Sequence, residues 1–373
     1  IMKNILLSLV VIALLGTVVL WVRYGGGAPY PDLSTAPALK ASSLEEVLGY
    51  DEPVGNVAVN RDERIFFTVH PESRPRGNKV LEFVRGAAVP FPSAAAQEEL
   101  FDTPLGLVVD RFNRLWVIDH GNHGLRSARI VAIDLDTSEV LRNQVLEPEI
   151  APLGSFLQDL QVSANGNTIV IADASFWRKS PALIVYDVET GDARRVLEKH
   201  ESVAADDYVI QNSEREMAFL GGIVALRGGV DGIALGPRWL YFGAISGSGL
   251  YRISLSDLRD ASLPPGQLAN RVERVGDKPL SDGMSIDNEG NVYITDVEHN
   301  SIFVAGPGKV PRTLIRSPEL RWPDGLSYGP GGYLYVADSA LAELVLQSRE
   351  HIEASGPYRI FRFKPGVEGI PGQ

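Results

Sequence analysis

The chain has 373 residues, a formal net charge of −12 at pH 7 and no cysteine. The absence of cysteine excludes disulfide bonds, thiolate metal sites and cysteine nucleophiles. No block of clustered Lys and Arg is present in the sequence. Phosphate binding needs such clusters, so a nucleic-acid partner is not expected.

The first segment in chain order is an apolar run from Ile5 to Val22, which Lys3 precedes and Arg23 follows. Its 18 uncharged residues are near the lower limit for a membrane-spanning helix and exceed the hydrophobic region of a usual signal peptide. No small-residue cleavage pattern follows the run. We expect residues 1–23 to be an uncleaved signal-anchor, with a cleaved signal peptide as the alternative. Either segment predicts an exported protein, periplasmic or secreted, and an anchor would hold it to the inner membrane.

Residues 24–48 are rich in Pro, Gly, Ala and Ser, which predicts a linker. A short helix is expected within this linker, near Ser43 to Leu48. The remaining residues, 49–373, carry a repeating pattern and are predicted to form a single domain.

The clearest copy of the pattern runs from Leu280 to Asp296 and predicts a β-hairpin. Two runs with β-branched or aromatic residues flank a turn that contains Gly and Asn, which is a strong short-range hairpin signal. An antiparallel hairpin returns to its starting edge. Asp282 and Asp296 are therefore expected on the same rim.

The hairpin recurs along the chain, which predicts a repeat architecture. Aligned on Asp282, the first positions of the copies are 55, 105, 159, 231, 282 and 324, at intervals of 42 to 72 residues. A further strand pair follows most hairpins, so each repeat supplies about four strands. Six such repeats predict an all-β fold, a six-bladed β-propeller preceded by the hydrophobic signal or anchor segment.

Four aspartates are predicted to surround one mouth of the central channel, because the innermost strand of each blade lines that channel. They are the first-position residues Asp159, Asp231, Asp282 and Asp324. Converging carboxylates repel one another unless a cation or shared protons neutralise them. Oxygen ligands without cysteine favour Ca²⁺ or Mg²⁺ over zinc. The alternative is that each Asp makes a local turn hydrogen bond and needs no metal.

A second aspartate follows 14 residues after the first position in four copies, and it is predicted to cap the end of a strand. These residues are Asp119, Asp173, Asp296 and Asp338. Histidines follow two of them, as His120 and His123 after Asp119 and as His299 after Asp296. Histidine is a natural general acid or base. The alternative is that these histidines only make hydrogen bonds at the surface.

The longest interval between repeats contains an insertion, residues 198–229. A long loop near a propeller mouth is predicted either to act as a lid or to be a surface excursion. The sequence also lacks the nucleophile elbow of serine hydrolases, the P-loop and the dinucleotide fingerprint. A serine hydrolase or a nicotinamide enzyme is therefore not expected.

Two stretches, Leu280 to Ser301 and Arg321 to Ser339, resemble the major royal jelly protein/yellow family. The likeness is greatest to its bacterial members, often labelled dopachrome-tautomerase-related, and it runs from about Val54 to Phe363. It implies a six-bladed propeller, which the repeat count predicts independently. The family includes secreted proteins that bind small amines and others implicated in pigment chemistry, and it has no agreed catalytic set.

The wider gluconolactonase/senescence-marker-protein group is similar as well, and it holds a divalent cation, usually Ca²⁺, through a Glu, two Asn and an Asp. The resemblance implies that its catalytic Asp falls on Asp282. The two Asn positions fall near Asp159 and Asp231, so both are Asp in this chain. The Glu has no clear match, since Gly55 and Asn56 occupy its place and Glu52 is only nearby.

Together these observations predict an exported propeller that binds or acts on a small polar molecule at its channel. The favoured interpretation is a metal-dependent, lactonase-like hydrolase with Ca²⁺ as the cofactor. Its predicted metal ligands are Asp159, Asp231 and Asp282, its catalytic residues Asp282 and His299, and its substrate-binding residues Asp324, Asp296, Asp119 and His120. The alternatives are a non-catalytic binder of a cationic amine and a scaffold that presents loops to another protein. The N-terminal segment makes the membrane a further expected partner.

Overall fold

The computed structural model describes residues 2–306 and 308–373, without the side chains of Lys3 and Asn4. Ile1, Pro307 and the Lys3 charge before the apolar run therefore lie outside the described part of the chain. Six four-stranded antiparallel sheets contain most of the described strands. Their innermost strands pack side by side in a ring. This arrangement confirms the predicted six-bladed β-propeller.

The strands of each blade follow one another from the channel outward. Blade 1 contains Val54–Val59, Ile65–Val69, Val80–Val84 and Ala87–Pro90. Blade 2 contains Pro104–Val109, Arg114–Asp119, Arg129–Asp134 and Val140–Val145. Blade 3 contains Leu157–Val162, Thr168–Asp173, Ala182–Asp187 and Ala193–Val196.

The other three blades have the same order. Blade 4 contains Val230–Leu235, Trp239–Ala244, Gly249–Ser254 and Glu273–Asp277. Blade 5 contains Met284–Ile286, Val292–Asp296, Ser301–Ala305 and Arg312–Arg316. Blade 6 contains Pro323–Tyr328, Leu334–Asp338, Tyr358–Phe363 and Glu45–Tyr50.

The remaining elements are short, apart from the N-terminal helix. The α-helices are Met2–Tyr24, Ala96–Leu100, Gly121–Gly124, Leu255–Arg259, Pro265–Ala269 and Arg349–Ala354. The 3-10 turns are Ala41–Ser43, Pro71–Ser73, Pro330–Gly332 and Leu341–Glu343. Two-residue strands outside the blades are Ala28–Pro29, Tyr208–Val209, Ala218–Phe219 and Val224–Ala225.

The ring is closed by the N-terminal segment, which supplies the outermost strand of blade 6. Glu45–Tyr50 pairs antiparallel with Tyr358–Phe363, so the predicted helix near Ser43 to Leu48 is wrong in all but the turn at Ala41–Ser43. The segment before this strand also contacts the propeller. The backbone N–H of Leu39 donates to the carbonyl of Leu314 at 2.8 Å.

Neighbouring blades approach each other closely at the start of their inner strands. A Cβ atom placed on Gly232 would lie 2.3 Å from the carbonyl oxygen of Asp282 in the next blade. A Cβ on Gly283 would lie 2.2 Å from the carbonyl oxygen of Asp324. Glycine is required at these positions because no side chain fits between the two backbones.

The core lies between the blades, where the faces of adjacent sheets pack against each other. Large aromatic side chains on the second strands contribute to it. Trp116, Tyr293 and Tyr335 are almost fully buried, and each packs among apolar residues of a neighbouring blade. Burial of about 150–250 Å² for each such ring is a major source of stability.

Candidate functional site

A pocket opens at the end of the channel where the inner strands begin, and we call this end the mouth. Its empty volume, counted to the open rim, is about 850 Å³. Its walls are apolar and aromatic, whereas its floor carries carboxyl groups. The apolar lining residues are Phe156, Ala174, Phe176, Trp177, Phe219, Val224, Leu226, Ile245, Leu341, Val345 and Leu346. The polar lining residues are His70, Glu72, His123, Gln158, Asp231 and Asp282.

The inserted residues 198–229 form one wall of this pocket. The two-residue strands Ala218–Phe219 and Val224–Ala225 pair as a hairpin, and Phe219, Val224 and Leu226 face the cavity. The insertion is held to the body by a pair of hydrogen bonds from the Asn212 amide to the carbonyls of Val297 and Arg321. The insertion therefore shapes the pocket as a packed wall.

The carboxyl groups of the floor come from the first positions of the hairpins. Asp231, Asp282 and Asp324 are buried, with exposures of 2%, 7% and 5%. Asp231 and Asp282 line the pocket, whereas Asp324 lies beside them without reaching the cavity surface. One oxygen of Asp231 and one of Asp324, Oδ2 in each case, is buried without a hydrogen-bond partner among the described residues.

Burial raises the pKa values of all three carboxyl groups, and repulsion from neighbouring carboxylates adds to this for Asp231 and Asp324. Burial, with added repulsion from Asp282, raises the pKa of Asp231 and that of Asp324 well above the usual range. Burial raises the pKa of Asp282 to about 6, against the hydrogen bond from Trp322 and the Lys278 ammonium. The cluster therefore takes up protons at a higher pH than ordinary carboxyl groups do, as expected for converging carboxylates.

Asp282 is held in place by a neighbouring tryptophan. The indole Nε1–H of Trp322 donates to Asp282 Oδ2 at 2.7 Å, and the backbone N–H of Asp282 donates to Thr295 Oγ1 at 2.9 Å. The ammonium of Lys278 is fully buried nearby and donates to Ser281 Oγ at 2.8 Å. Burial lowers the pKa of Lys278 to about 7.

The inner-strand register places Asp159 differently from the other first-position aspartates. In blade 3 the residue that matches Asp231 is Gln158, and Asp159 falls where blade 4 has Gly232. The carboxylate of Asp159 accepts the backbone N–H of Leu160 at 2.8 Å. Burial, partly offset by this hydrogen bond, raises its pKa to about 7.

Each second-position aspartate accepts backbone hydrogen bonds that fix the loop leading into the inner strand or the loop leaving the hairpin. Asp119 accepts from the N–H groups of Thr103 at 3.0 Å and Gly121 at 2.9 Å. Asp173 accepts from Phe156 at 2.8 Å, Asp338 from Trp322 at 2.7 Å and Asp296 from His299 at 3.2 Å. Such contacts are expected of residues that cap strand ends, which is the role predicted for these aspartates from the sequence. Neither Asp119 nor Asp296, also predicted to bind substrate, lines the pocket.

The predicted histidines lie in different environments. His299 is outside the pocket, where its Nδ1 is 3.0 Å from Asp296 Oδ1 and its Nε2 is 3.3 Å from Asp32 Oδ1. His120 is buried behind the pocket wall and packs edge to face on Phe156, with ring centroids 4.8 Å apart. Burial lowers the pKa of His120 to about 3, so its ring is neutral.

Two groups that the sequence did not single out contribute to the pocket. His70 lines the floor, with Nε2 3.8 Å from Asp324 Oδ2, and burial lowers its pKa to about 4. Glu72 lies at the wall, with Oε1 3.0 Å from Nε2 of His123. His70 follows the second strand of blade 1 as His120 follows that of blade 2, and this repeat match was the available signal.

The metal ligands predicted from the sequence do not form one group among the described residues. Within residues 2–306 and 308–373, no three His, Asp or Glu side chains come together as a group that could hold an ion. The unpartnered oxygens of Asp231 and Asp324 suit a hard cation chemically, but the third predicted ligand, Asp159, hydrogen-bonds within its own strand instead. The three ligands predicted from the sequence are therefore not assembled as one group among the described residues.

Solved structures similar to this chain share little sequence identity with it. A luciferin-regenerating enzyme superposes with a TM-score of 0.56 at 11% identity, covering 88% of this chain and 97% of its own. A gluconolactonase from Xanthomonas campestris superposes with a TM-score of 0.54 at 15% identity, covering 92% and 99%. At such identities the likeness shows the fold alone. No curated protein sequence matches the chain significantly.

The family assignment comes from the sequence of the propeller itself. The family described as "Major royal jelly protein" matches residues 103–312. This range covers blades 2 to 4 and the first three strands of blade 5, including Asp159, Asp231 and Asp282. Since the match spans more than half of the chain, the protein belongs to the major royal jelly protein family.

Proposed function

We propose that the mouth pocket binds a small organic molecule with an apolar body and a protonated amine. The observation that carries this proposal is the position of two buried carboxyl groups, Asp231 and Asp282, at the floor of a pocket whose walls are mostly apolar. A pocket of this composition supports orientation of a ligand by its polar end and affinity through its apolar end.

The walls suit a cation as well as an apolar ring. Phe156, Phe176, Trp177 and Phe219 line the cavity, and aromatic faces attract ammonium groups by about 0.5–2 kcal/mol each. A protonated amine would donate to Asp231 Oδ2, which accepts no hydrogen bond from the described residues. It would also stabilise the ionised form of the carboxyl cluster, which repulsion now disfavours.

The test compares two probes with the same apolar body, phenethylamine and phenethyl alcohol, by isothermal titration calorimetry on the full-length protein. The amine is expected to bind at least about tenfold more tightly than the alcohol, because charge-assisted hydrogen bonds are about twice as strong as neutral ones. Asp231→Asn should remove most of this preference. Asp192→Asn, the same change at an exposed turn, should not alter it.

Equal affinity of the wild type for the two probes would contradict the cationic-ligand proposal. Binding of neither probe, in a protein whose thermal unfolding is cooperative, would contradict the proposed pocket function altogether. A preference that survives Asp231→Asn would assign recognition to other groups.

A second candidate is the lactone hydrolysis predicted from the sequence, with Ca²⁺ as cofactor. The observation that favours it is the pair of buried, unpartnered carboxyl oxygens of Asp231 and Asp324, although the described side chains do not assemble three ligands. In this proposal Asp282, with a pKa of about 6, would accept a proton at neutral pH.

The ion is tested by thermal unfolding in EDTA followed by addition of Ca²⁺, Mg²⁺ or Mn²⁺. A ligand that binds only the folded state raises the melting temperature in a concentration-dependent way. A rise with one ion that Asp282→Asn abolishes would support the metal-dependent proposal. No rise with any of the three ions would contradict it, and the amine-binding proposal would stand unaffected.

We also propose that the N-terminal helix anchors an exported propeller to the membrane. Ile5–Tyr24 is long and apolar enough to span a bilayer, and none of it is buried in the protein. The mass of the protein recovered from membranes tests this proposal. A protein of full length that stays in the membrane during carbonate extraction would support an anchor. A chain shortened by about 23 residues would indicate a cleaved signal peptide.

A further inference from the structure

The rim of the mouth carries a set of exposed apolar side chains. They are Leu125 at 69% exposure, Leu153 at 67%, Trp177 at 44%, Leu220 at 68% and Leu346 at 68%. Each lies on a loop that follows the second or fourth strand of a blade. Because antiparallel strands alternate in direction, all these loops emerge on the mouth side. We call these five residues the apolar rim.

The opposite face of the propeller is poorer in such groups. In the described loops of that face, the large exposed apolar side chains are Phe112 and Val310. Soluble proteins seldom concentrate exposed apolar side chains on one face unless that face contacts a partner or a membrane. The asymmetry therefore distinguishes the mouth side as a contact surface.

The apolar helix ends at this same rim. The Tyr24 hydroxyl donates to the carbonyl of Trp177 at 2.8 Å, and Arg23 Nη2 donates to the carbonyl of Arg178 at 2.9 Å. The Tyr24 ring also packs on Phe176 and Trp177, with centroids 6.1 and 5.7 Å apart. These contacts join the end of the helix directly to the wall of the pocket.

The chain stays attached after the helix ends. Gly25 lies so close to the insertion that an added Cβ would be 2.8 Å from the carbonyl oxygen of Gly222. Ala28–Pro29 then pairs with Tyr208–Val209. Residues 25–29, all of them described, therefore leave no flexible tether between the helix and the propeller. A membrane that holds the helix has its surface at the apolar rim.

From this geometry we propose that the mouth face lies against the bilayer that holds the helix, and that the pocket takes its ligand from the lipid. Trp177 and Leu346 belong both to the apolar rim and to the pocket lining, so an apolar path runs from the surface into the cavity. Trp and Leu are suited to the membrane interface. The ligand class is then a membrane-partitioning amphiphile with an amine head, which rests on the function proposed above.

The absence of cysteine allows a direct test of the membrane contact. Single cysteines at Leu153 and Leu220, neither of which lines the pocket, are labelled with a fluorophore in the full-length protein. Val310→Cys, on the opposite face and 85% exposed, is the matched control. The proteins are placed in phosphatidylcholine vesicles that contain lipid with a nitroxide on its headgroup.

The labels at positions 153 and 220 are expected to be quenched at least about threefold more than the label at 310. The rim residues would lie within the interfacial layer, which is about 5–10 Å deep for interfacial side chains. Equal quenching at the three positions would overturn the proposed contact, whether or not phenethylamine binds in the separate calorimetric test.

Uptake from lipid is tested with dodecylamine, added within the vesicles, as the probe. The double variant Leu153→Asp/Leu220→Asp should weaken its binding about fivefold or more, while phenethylamine binding in detergent micelles should be unchanged. Val310→Asp should leave both unchanged. Unaltered dodecylamine binding by the double variant would overturn uptake through the rim. Failure of the wild type to bind either amine would instead count against the function proposed for the pocket.

Discussion

Asp159 and Asn56 occupy matching places in two blades, where the inner strand begins and the four other blades have Gly106, Gly232, Gly283 and Gly325. Both side chains accept the backbone N–H of the next residue at 2.8 Å. They differ in charge, and only the carboxyl group must be neutralised in the crowded channel. The protein therefore contains its own neutral counterpart of Asp159.

This match leads to a prediction for Asp159→Asn. The folded-state pKa of about 7 lies above the ordinary value of 3.8, so the folded protein binds more protons between these values. The stability of the wild type that depends on this proton is present below about pH 4 and is lost as the pH rises through about 7. The amide side chain of the variant does not titrate, so the variant does not lose this stability. Its amide oxygen can still accept the backbone N–H of Leu160, as the Asn56 amide oxygen accepts that of Val57.

The free energy of unfolding of Asp159→Asn should exceed that of the wild type by on the order of 2 kcal/mol at pH 8, and by little at pH 4. Urea unfolding at the two pH values measures the difference. Asp192→Asn, at an exposed site, should show no pH-dependent gain. If the free energy of unfolding changed equally with pH in Asp159→Asn and in the wild type, the pKa of the Asp159 carboxyl group would not be raised by folding.

At the scale of the element, the hairpin was predictable because its signals are local, but its exact register and the closing strand were not. The turn of blade 3, from Ser163 to Thr168, shifts the pairing so that Leu157 lies opposite Asp173. A fixed spacing of 14 residues from the second Asp therefore misaligned Asp159 by one position. Strand register depends on turn length, which the spacing alone did not reveal.

The closing strand, Glu45–Tyr50, was not predicted from the sequence for a different reason. Glu45 and Arg362 are 317 residues apart in sequence, and nothing within Glu45–Tyr50 indicates its partner. Its residues have a weak local preference for helix, and tertiary pairing with blade 6 overrides that preference. His70 was not predicted, because blade 1 has Gly55 and Val69 at the two positions where other blades have Asp.

The close approach of the blades makes a glycine prediction at this scale. Gly283→Ala should destabilise the protein by about 2–3 kcal/mol, because the new methyl group would collide with the Asp324 carbonyl and force the blades apart. Gly276→Ala is the control, since nothing lies within 4 Å of the added carbon in an outer strand. Thermal unfolding compares the two variants. Similar melting temperatures for the two variants would show that the inner strands of blades 5 and 6 can move apart at little cost.

For the whole molecule, ring closure determines how firmly the acidic floor is held. Blades 4 to 6 and blade 1 supply Asp231, Asp282, Asp324 and His70, so opening the ring would separate the groups that repel one another. The strand Glu45–Tyr50 ties the two chain ends of the propeller together. The same N-terminal segment leads from the apolar helix, so anchoring and closure depend on one stretch of chain.

Closure can be tested at Leu48, which is 5% exposed in the closing strand. Leu48→Ala should reduce the free energy of unfolding by about 2–4 kcal/mol, as for other buried leucines. Glu46→Ala, in the same strand and half exposed beside Arg359, should cost less than about 1 kcal/mol. A loss for Leu48→Ala no larger than that for Glu46→Ala would contradict the role given to this strand.

The proposed amine site depends most directly on the charge of the pocket floor, and the pH dependence of amine binding measures that charge. Phenethylamine is titrated into the wild type and Asp231→Asn from about pH 5.5 to pH 8.5, below the pKa of an ordinary amine. Because the carboxyl pKa values are raised, a bound cation should expel protons, and the affinity of the wild type should increase with pH, by up to about tenfold per unit for each proton released. The variant should show a weaker affinity and a shallower rise. An affinity that is flat or falls with pH would contradict the proposed acidic amine site.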